Sequence, residues 1–472
     1  MKKNLSDWQS QAKKTYDKYE MDLLPNNLKR NNLNYYYLGV YPPLTEMNYL
    51  PDSYTPSYPR SIKSLYIHVP FCLSICNFCN YYKMRVKASE IRGVFSSYFK
   101  LLKQELLFHS KHCQLDFSYL YFGGGTPSLT PPDILFDFIK FLDDNNFISN
   151  EILASLEIHP NLFKDETKAK TFLKSLKDCK INRVSIGYQF DNDKLLKVYQ
   201  RDQKMDFFKK AVNLILENKL LLNVDLMYGL PEQSLNDWAK SLEVVNLENP
   251  DSITAYFSFA PKHTLFRKKI EKNEIRTLSH KELQCQQILS QLYLESKGFQ
   301  ELPSNFFAQV NGKPFELKQL HLPSNSASLA IGPGTYSYFN GLQFINYFDL
   351  KSYSEKIKAR KSPAWRGYHF KNIELLHRDL MFLIKNSMLI DIKQLEDKYQ
   401  INPLEFEGFK DIFELLFEHK LIHLNKDLIQ LSLKGQLIAD EIAWLFKIPN
   451  LKKNYKKKDQ FLLESYNFAM TY

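Results

Sequence analysis

Three cysteines within eight positions are the part of this sequence best suited to chemistry. Cys72, Cys76 and Cys79 are spaced C-x3-C-x2-C, directly after the run Tyr66-Ile67-His68-Val69-Pro70-Phe71. Thiolates are soft ligands that select iron–sulfur clusters or zinc. A four-iron cluster held by three cysteines keeps one iron without a protein ligand. Such an open iron can chelate a small molecule and deliver an electron to it.

Two plainer interpretations compete with a cluster. A structural zinc site would need a fourth ligand, and zinc motifs usually pair C-x2-C with a second, distant pair that this sequence does not contain. The three cysteines could also be unrelated core residues, as we expect for the isolated Cys113, Cys179 and Cys285, because free cysteine is often buried. We favour the cluster, since so few cysteines at this spacing indicate metal or redox use in a reducing compartment.

The elements that must position these thiols alternate between strands and helices. Alternation of this kind predicts βαβ units and a parallel sheet, with functional loops at the carboxyl ends of the strands. Six units fall short of the eight in a closed barrel, so we expect an α/β fold with a partial (β/α)6 barrel. The predicted strands are Leu65–Val69, Tyr119–Phe122, Leu153–Ile158, Arg183–Tyr188, Leu222–Met227 and Ile253–Phe259; the predicted helices are Val94–Phe108, Ile134–Phe147, Thr167–Leu176, Leu195–Leu216 and Trp238–Leu247.

The remaining sequence divides into regions of different character. We expect an N-terminal arm at 1–60 with one early helix, the barrel core at 61–265, a barrel-completing and substrate-covering region at 266–370, a winged-helix-like, α-rich C-terminal module at 371–448 and a basic tail at 449–472. The module is predicted from helical runs that flank a hairpin. These runs are Leu375–Ile384, Ile392–Lys398 and Phe406–Glu418, then the hairpin Leu421–Leu424 and Ile429–Leu433, then Gly435–Phe446.

Composition and charge limit the class of protein. Apolar residues make up 44% and charged residues 24%, which is ordinary for a globular protein. No run approaches the length of a membrane span, and the N-terminus lacks the apolar stretch of a secretory signal, so we expect a cytoplasmic protein. The formal charge of +11 is compatible with nucleic acid, a membrane surface or an anionic small substrate.

Five motifs in a fixed order resemble one family. Tyr66–Cys72 with its following cysteines, Gly123–Ser128, Leu156–Pro160, Arg183–Gln189 and Asp225–Pro231 each lie at the end of a predicted strand. The cysteine spacing is the hallmark of the radical S-adenosylmethionine (SAM) superfamily. Together the motifs resemble the oxygen-independent coproporphyrinogen III dehydrogenase family, which also includes heme chaperones and anaerobic heme-degrading methyltransferases. The resemblance covers residues 60 to 340 and implies a [4Fe–4S] cluster and SAM as cofactors.

The resemblance also assigns binding residues. It implies that Cys72, Cys76 and Cys79 hold the cluster and that the first SAM molecule is bound by Tyr66, by the glycine-rich segment with Gly124, Gly125 and Thr126, and by Glu157, whose carboxylate suits a ribose hydroxyl. Members of this family can hold a second SAM. The matching positions here are Phe78, Gly125, Thr126, Gln189, Arg201, Asp225, Ala260 and Tyr336.

The implied chemistry is reductive cleavage of SAM to methionine and a 5′-deoxyadenosyl radical, which abstracts hydrogen from the substrate or from the methyl group of the second SAM. Coproporphyrinogen dehydrogenases carry a further cysteine two positions after the third cluster ligand, where this chain has Tyr81. The segment Cys76–Tyr82 is closer to the heme-utilisation branch. We therefore favour radical methyl transfer that opens heme anaerobically and releases iron.

Three alternatives stay open: oxidative decarboxylation of coproporphyrinogen, heme delivery by a chaperone, and DNA binding by the winged helix. The last is not favoured, since Lys385, Lys393 and Lys398 form no dense basic stripe. The expected partners are heme or a porphyrinogen as substrate and an electron donor such as flavodoxin or ferredoxin. Lys83, Arg85, Lys318 and His321 could contact propionates or iron, but no motif supports them and they are interpreted as ordinary surface residues.

Overall fold

The computed structural model describes residues 3–29, 39–201, 203, 205–260, 264–301, 305–310 and 327–465. The N-terminal region contains the predicted early helix, Leu5–Lys18 (α1), followed by the short strand Asn48–Tyr49 (β1). Helix α1 buries Trp8, Ala12 and Tyr16, one face of the helix, and the Trp8 ring meets Tyr293 edge-on at 5.9 Å. This part of the arm is therefore packed on the rest of the molecule.

The central region has the predicted strand–helix alternation. Six strands, β2 and β5 to β9, pair in parallel in chain order, as in a partial barrel. In chain order the elements are Ser61–Val69 (β2), Phe71–Cys72 (β3), Met84–Arg85 (β4), Ile91–His109 (α2), Gln114–Gly124 (β5), Pro132–Asp144 (α3), Ile148–Ile158 (β6), Glu166–Asp178 (α4), Arg183–Gln189 (β7), Asp193–Val198 (α5), Met205–Glu217 (α6), Leu221–Tyr228 (β8), Leu235–Leu247 (α7) and Ser252–Phe257 (β9).

One predicted helix in this region is wrong. The run Leu195–Leu216 forms α5 and α6 rather than a single helix, because the chain turns between them. Gln200 has φ +50°, a left-handed conformation that interrupts a helix. Arg201 follows directly, and its position is described with the site below.

The next region adds strands at both edges of these six. Strand β11 pairs antiparallel with β9, and β12 pairs in parallel with β2 and leads into an antiparallel meander. Leu153 of β6 packs against Phe306 and Ala308 of β11 although three strands separate them in the sheet, so the sheet is strongly curved. The elements are Leu265–Glu271 (α8), His280–Glu295 (α9), Phe299–Glu301 (β10), Phe306–Gln309 (β11), Ser328–Ile331 (β12), Tyr336–Phe339 (β13), Leu342–Asn346 (β14), Leu350–Lys358 (α10) and Ala364–His369 (β15).

The C-terminal module has helices around a three-stranded antiparallel sheet, as a winged helix does. The predicted helix Gly435–Phe446 is divided into two. The Arg378 guanidinium lies 3.6 Å from the centre of the Tyr338 ring of β13 and so joins the module to the central sheet. The elements are Asn372–Ser387 (α11), Leu389–Asp391 (β16), Ile392–Tyr399 (α12), Glu407–Glu418 (α13), Ile422–Asn425 (β17), Leu428–Leu431 (β18), Leu433–Gln436 (α14) and Ala439–Leu445 (α15). The tail that follows contains the helix Gln460–Ser465 (α16), whose Leu463 packs with Leu44 and Met47 of the N-terminal region.

Two lysines considered for DNA contact are engaged inside this module. Lys385 forms an ion pair with Asp440 and is only 8% exposed, and Lys398 pairs with Asp379 at 2.8 Å. Both side chains are held by packing within the module, which weakens their candidacy as phosphate contacts. Within the described part of the chain, no helix is both long and apolar enough to cross a membrane.

Candidate active site

The cysteine loop begins where a short strand ends. Strand β3 finishes on Cys72 and pairs in parallel with β4, which places Arg85 opposite Cys72. The loop is tight, since the Cys79 N–H donates to the Cys76 carbonyl at 3.2 Å. All three cysteines are free thiols and half-buried, so the chain presents three sulfur ligands from one turn.

Polar groups surround the three sulfurs. The Thr126 hydroxyl donates to Cys72 Sγ at 3.5 Å, and Arg201 Nη1 donates to Cys76 Sγ at 3.7 Å. Lys83 Nζ donates to the Cys79 carbonyl at 2.6 Å. Burial is the main cause that raises the pKa of the Cys72 thiol to about 12, and it raises the pKa of Cys79 as well. The Cys72 and Cys79 thiols therefore favour the neutral form, and a positively charged partner is needed to hold them as thiolates.

These residues fit a [4Fe–4S] cluster. The donor set is soft, the sulfurs receive side-chain hydrogen bonds, and two cations lie beside them to offset thiolate charge. In the ranges that the structure describes, no group of three or more His, Cys, Asp or Glu is arranged around a single metal ion. A cluster is wider than an ion and holds its thiolates farther apart, so this finding does not conflict with the fit.

The glycine-rich end of β5 lies against the cysteine loop. The Gly125 N–H donates to the Val69 carbonyl at 2.8 Å, and the Thr126 N–H donates to the Phe71 carbonyl at 2.9 Å. Gly124 has φ +111°, and a Cβ there would lie 2.4 Å from Cε1 of His68. Only glycine allows this close approach of the two segments.

Glu157, at the end of β6, accepts hydrogen bonds from two neighbours. Its Oε2 accepts from the Gly124 N–H at 3.1 Å, and its Oε1 accepts from the Tyr121 hydroxyl at 3.1 Å. Burial, and after it the charge of Asp225, raises the pKa of Glu157 to about 8. A cation or a hydroxyl donor beside Glu157 would favour its charged form.

Tyr66 is joined to the cysteine loop through His68. His68 Nε2 lies 2.9 Å from the Tyr82 carbonyl, an acceptor only, so Nε2 carries the proton. Nδ1 then accepts from the Tyr66 hydroxyl at 3.1 Å. His68 is fully buried, and this burial lowers its pKa to about 4, which keeps the ring neutral.

Among the residues matched to a second SAM, Gln189 ends β7, Asp225 lies within β8 and Arg201 follows α5. Arg201 is held by the Gly187 carbonyl and by Gln203, and Gln189 accepts from the Tyr256 hydroxyl. Asp225 accepts from Ser185 Oγ and Asn223 Nδ2, both at 2.8 Å, and burial raises its pKa. Phe78 and Ala260 pack in one apolar cluster with Tyr199.

The barrel interior below these residues is polar. Arg183 is 2% exposed and donates to Ser155 Oγ at 3.2 Å and to Ser252 Oγ at 3.3 Å. These strand residues lie one or more positions below Glu157 and Asp225 on the same inner face, because side chains alternate along a strand. The charged residues at the mouth are therefore supported by a hydrogen-bonded floor.

Not every residue chosen from the sequence joins this group. Tyr336 packs in a separate apolar cluster with Tyr82 and Phe348. Lys83 is half-buried on the Cys79 carbonyl, so its interpretation as an ordinary surface residue is wrong, whereas Arg85 is exposed. Lys318 and His321 lie outside the described residues.

Three contributors were not assigned from the sequence: His68, Tyr121 and Tyr256. The period of two along a strand could have found Tyr121, which shares the inner face with Gly123, and the same rule applies to Tyr256. The role of His68 depends on the Tyr82 carbonyl, a contact that no strand pattern predicts.

Comparison with known proteins agrees with this geometry. Residues 66–245 match the family model for the radical SAM superfamily. The chain carries a radical SAM domain. Members of this superfamily bind a [4Fe–4S] cluster and SAM. The domain runs from Tyr66 through the cysteine loop, the glycine-rich turn, Glu157, Gln189, Arg201 and Asp225.

Relatives extend well beyond the radical SAM domain. The chain is 26% identical over 393 residues to the heme chaperone HemW of Bacillus subtilis, a match that covers 82% of this chain and 99% of that protein. It is 25% identical over 415 residues to the oxygen-independent coproporphyrinogen III oxidase of Salmonella typhimurium, covering 82% and 86%. The solved structure of coproporphyrinogen III oxidase (HemN) from Escherichia coli superimposes with a TM-score of 0.73 at 23% identity, over 83% of this chain and 91% of that one, and it confirms the expected α/β fold.

Proposed function

We propose that this protein is a radical SAM enzyme that acts on a tetrapyrrole, with a [4Fe–4S] cluster held by Cys72, Cys76 and Cys79. The observation that carries the proposal is the contact between the cysteine loop and the glycine-rich turn, where Gly125 and Thr126 donate to Val69 and Phe71. When bound, the cluster and SAM supply an electron and a 5′-deoxyadenosyl radical, and the protein supplies placement and shielding.

Different residues of the chain bind different groups of SAM. Glu157, which already accepts two hydrogen bonds, offers its remaining capacity to a ribose hydroxyl of SAM, and backbone carbonyls of Gly123–Thr126 offer acceptors to the methionyl ammonium group. Arg201 offers a guanidinium suited to a carboxylate. Thr126 and Arg201 also donate to the sulfurs of Cys72 and Cys76, so the residues proposed for SAM also contact the proposed cluster ligands.

For the reaction we propose radical methyl transfer that opens heme and releases iron. The support is Tyr81, which stands where coproporphyrinogen dehydrogenases carry a cysteine. Further support is that the side chains of Gln189 and Arg201 meet at Gly187, which pairs with Asp225 across the sheet; the family resemblance implies all three for a second SAM. The relatives named above supply the two alternatives, since one is a coproporphyrinogen oxidase and another a heme chaperone.

One anaerobic experiment separates these functions. Reconstituted protein receives SAM, dithionite and either heme or coproporphyrinogen. Release of S-adenosylhomocysteine with a methylated, iron-free linear tetrapyrrole would support heme opening. Release of carbon dioxide with two new vinyl groups would instead support oxidative decarboxylation of coproporphyrinogen. Heme transferred intact without SAM turnover would instead support a heme chaperone. Absence of both SAM cleavage and tetrapyrrole binding would reject the proposal.

The other expectations stay predictions. The electron donor, the cytoplasmic location and the domain boundaries remain to be tested. DNA binding stays disfavoured, and a salt-sensitive shift of duplex DNA by the protein would revive it.

A further inference from the structure

The outer side of the cysteine loop carries two exposed apolar side chains. Leu73 is 43% exposed and Ile75 41% exposed, and both lie between Cys72 and Cys76. Exposed aliphatic residues are common singly on protein surfaces. A pair placed between two proposed cluster ligands is a different case, because it puts an apolar surface that faces solvent directly beside the cluster.

Basic residues flank this pair on two sides. The Val86 N–H donates to the Cys72 carbonyl at 3.0 Å, so residues 83–87 lie beside the first ligand. The Asn77 N–H donates to the Tyr199 carbonyl at 3.3 Å, so the end of α5 lies beside the second. These two contacts fix which surface charges border the loop.

The balance of charge on these bordering segments is strongly positive. Segments 83–87 and 193–201 contain six cations and one acid, Asp193, and Glu90, just beyond the first segment, pairs with Lys87 at 3.6 Å. Two of the cations turn inward, Lys83 to the Cys79 carbonyl and Arg201 to Cys76 Sγ. The other four are exposed; they are Arg85, Lys87, Lys194 and Lys197.

A surface with an apolar centre and a cationic rim fits one kind of partner surface. Interfaces combine an apolar core with a polar rim, and complementary charge speeds encounter between transient partners. Weak electron-transfer complexes use small interfaces of this type. The complement is an acidic protein surface with an apolar centre.

We infer that Leu73 and Ile75, with Arg85, Lys87, Lys194 and Lys197, form the docking surface for an acidic protein that carries one electron. The inference deepens the proposed function and rests on it, because only a cluster in this loop needs such a donor. One electron leaves the reduced carrier and enters the oxidised cluster, so the carrier is oxidised and the cluster reduced by one electron each. No bond to the protein forms or breaks.

The test uses charge reversal at two rim positions in the full-length protein. Lys87→Glu and Lys197→Glu are combined, and the matched control combines Lys393→Glu and Lys410→Glu, exposed lysines of the C-terminal module with the same total change in charge. Binding of a recombinant acidic flavodoxin is measured by calorimetry at low and high salt. We expect the rim variant to bind about tenfold more weakly at low salt and the control to bind like the wild type.

A second readout concerns electron entry. Reduction of the cluster by flavodoxin hydroquinone, followed by its absorbance, should slow by a similar factor in the rim variant, while SAM cleavage driven by dithionite stays at the wild-type rate. Equal binding by the rim variant and the wild type would overturn the docking surface. A parallel loss of the dithionite-driven reaction would also overturn it, because the lysines would then act on the cluster or the substrate.

The apolar centre is tested separately. Leu73→Ser with Ile75→Ser should weaken flavodoxin binding at high salt, where charge is screened, whereas Leu247→Ser, at a residue 74% exposed on α7, should not. Unchanged high-salt binding by the double variant would contradict the apolar part of the surface. If wild-type protein lacks dithionite-driven SAM cleavage, the proposed function fails, and the binding measurements still decide whether the surface docks an acidic protein.

Discussion

Replacing Gly124 with alanine tests how tightly the glycine-rich turn is fitted to the cysteine loop. Gly124 has φ +111°, which costs a non-glycine residue about 1–3 kcal/mol. The new Cβ would lie 2.4 Å from Cε1 and 2.5 Å from Nδ1 of His68, a fully buried ring with a hydrogen bond at each nitrogen. Overpacking of this kind costs about 1–3 kcal/mol more. We therefore expect Gly124→Ala to lower the free energy of unfolding by about 2–6 kcal/mol.

Two other glycines separate the contribution of backbone strain from that of the contact with His68. Gly298 has φ +88°, but a Cβ at this residue would meet nothing within 4 Å, so Gly298→Ala carries only the backbone strain, about 1–3 kcal/mol. Gly93 lies in α2 with open space around it, so Gly93→Ala should stabilise the protein by about 0.5–1 kcal/mol. The difference between Gly124→Ala and Gly298→Ala isolates the contact with His68.

Urea unfolding of the SAM-free protein, followed by tryptophan fluorescence and circular dichroism, measures the free energy of unfolding of each glycine variant. SAM affinity, measured by calorimetry, should fall in Gly124→Ala and not in Gly298→Ala, because displacement of His68 disturbs both Tyr66 and the Tyr82 carbonyl. A Gly124→Ala protein as stable as Gly298→Ala, with wild-type SAM affinity, would refute the reasoning.

Three further predictions concern cofactor binding. Cys76→Ala should remove the brown colour and most of the iron of anaerobically purified protein, while Cys285→Ala, a buried cysteine far along the chain, should keep both. SAM affinity should tighten about tenfold per pH unit between pH 6 and pH 7.5, because cationic SAM favours the charged form of Glu157, whose pKa is about 8, and Glu157→Gln should abolish this slope. The same raised pKa contributes stability that is complete at acid pH and is lost as pH rises through about 8, which urea titrations of wild type and Glu157→Gln would compare. Tyr66→Phe should weaken SAM binding about fivefold, the value of one hydrogen bond, without a change in circular dichroism; an unchanged affinity would remove Tyr66 from the site.

The sheet could be predicted because its signal is local. Five of the six parallel strands contain the run predicted for them, for example Ile148–Ile158 around Leu153–Ile158, and the sixth, Ser252–Phe257, ends two residues before the predicted Phe259. Strands buried on both faces appear as continuous apolar runs between helical segments, and alternation then implies parallel pairing. The additional strands β10 to β15 are only three to six residues long, too short for periodicity to reveal them.

The failed helix is more instructive than the strands. The apolar spacing over Leu195–Leu216 is helical throughout, yet the helix is interrupted at Gln200, where the backbone is left-handed. Arg201 can reach the Gly187 carbonyl and Cys76 Sγ only because of this break. Local propensity is overruled at the point where a side chain enters the site, which is where sequence rules are expected to fail.

The site residues also divide into those that can be recognised in the sequence and those whose contacts only the fold reveals. Cysteine spacing and a glutamate at a strand end can be recognised in the sequence, since the residue type itself carries the chemistry. The partners of His68 and Lys83 are backbone carbonyls of Tyr82 and Cys79, and nothing in the identity of Tyr82 or Cys79 marks its carbonyl as an acceptor. Contacts of this kind become visible only when the loop is folded.

The charges at the barrel mouth finally explain why the pocket suits a cation. Glu157 and Asp225 both have raised pKa values, and the charge of Asp225 contributes to the shift of Glu157. Two neighbouring carboxylates in a partly buried pocket are costly unless positive charge lies beside them. Arg183, below Asp225, offsets part of this negative charge, whereas Arg201 and Lys83 are directed at the cysteine loop and offset thiolate charge first. SAM carries a sulfonium and an ammonium against a single carboxylate and is a net cation, whereas a propionate-bearing tetrapyrrole would add negative charge. The charge at the barrel mouth is therefore complementary to SAM, and only with SAM bound does it suit the negatively charged propionates of the proposed substrate.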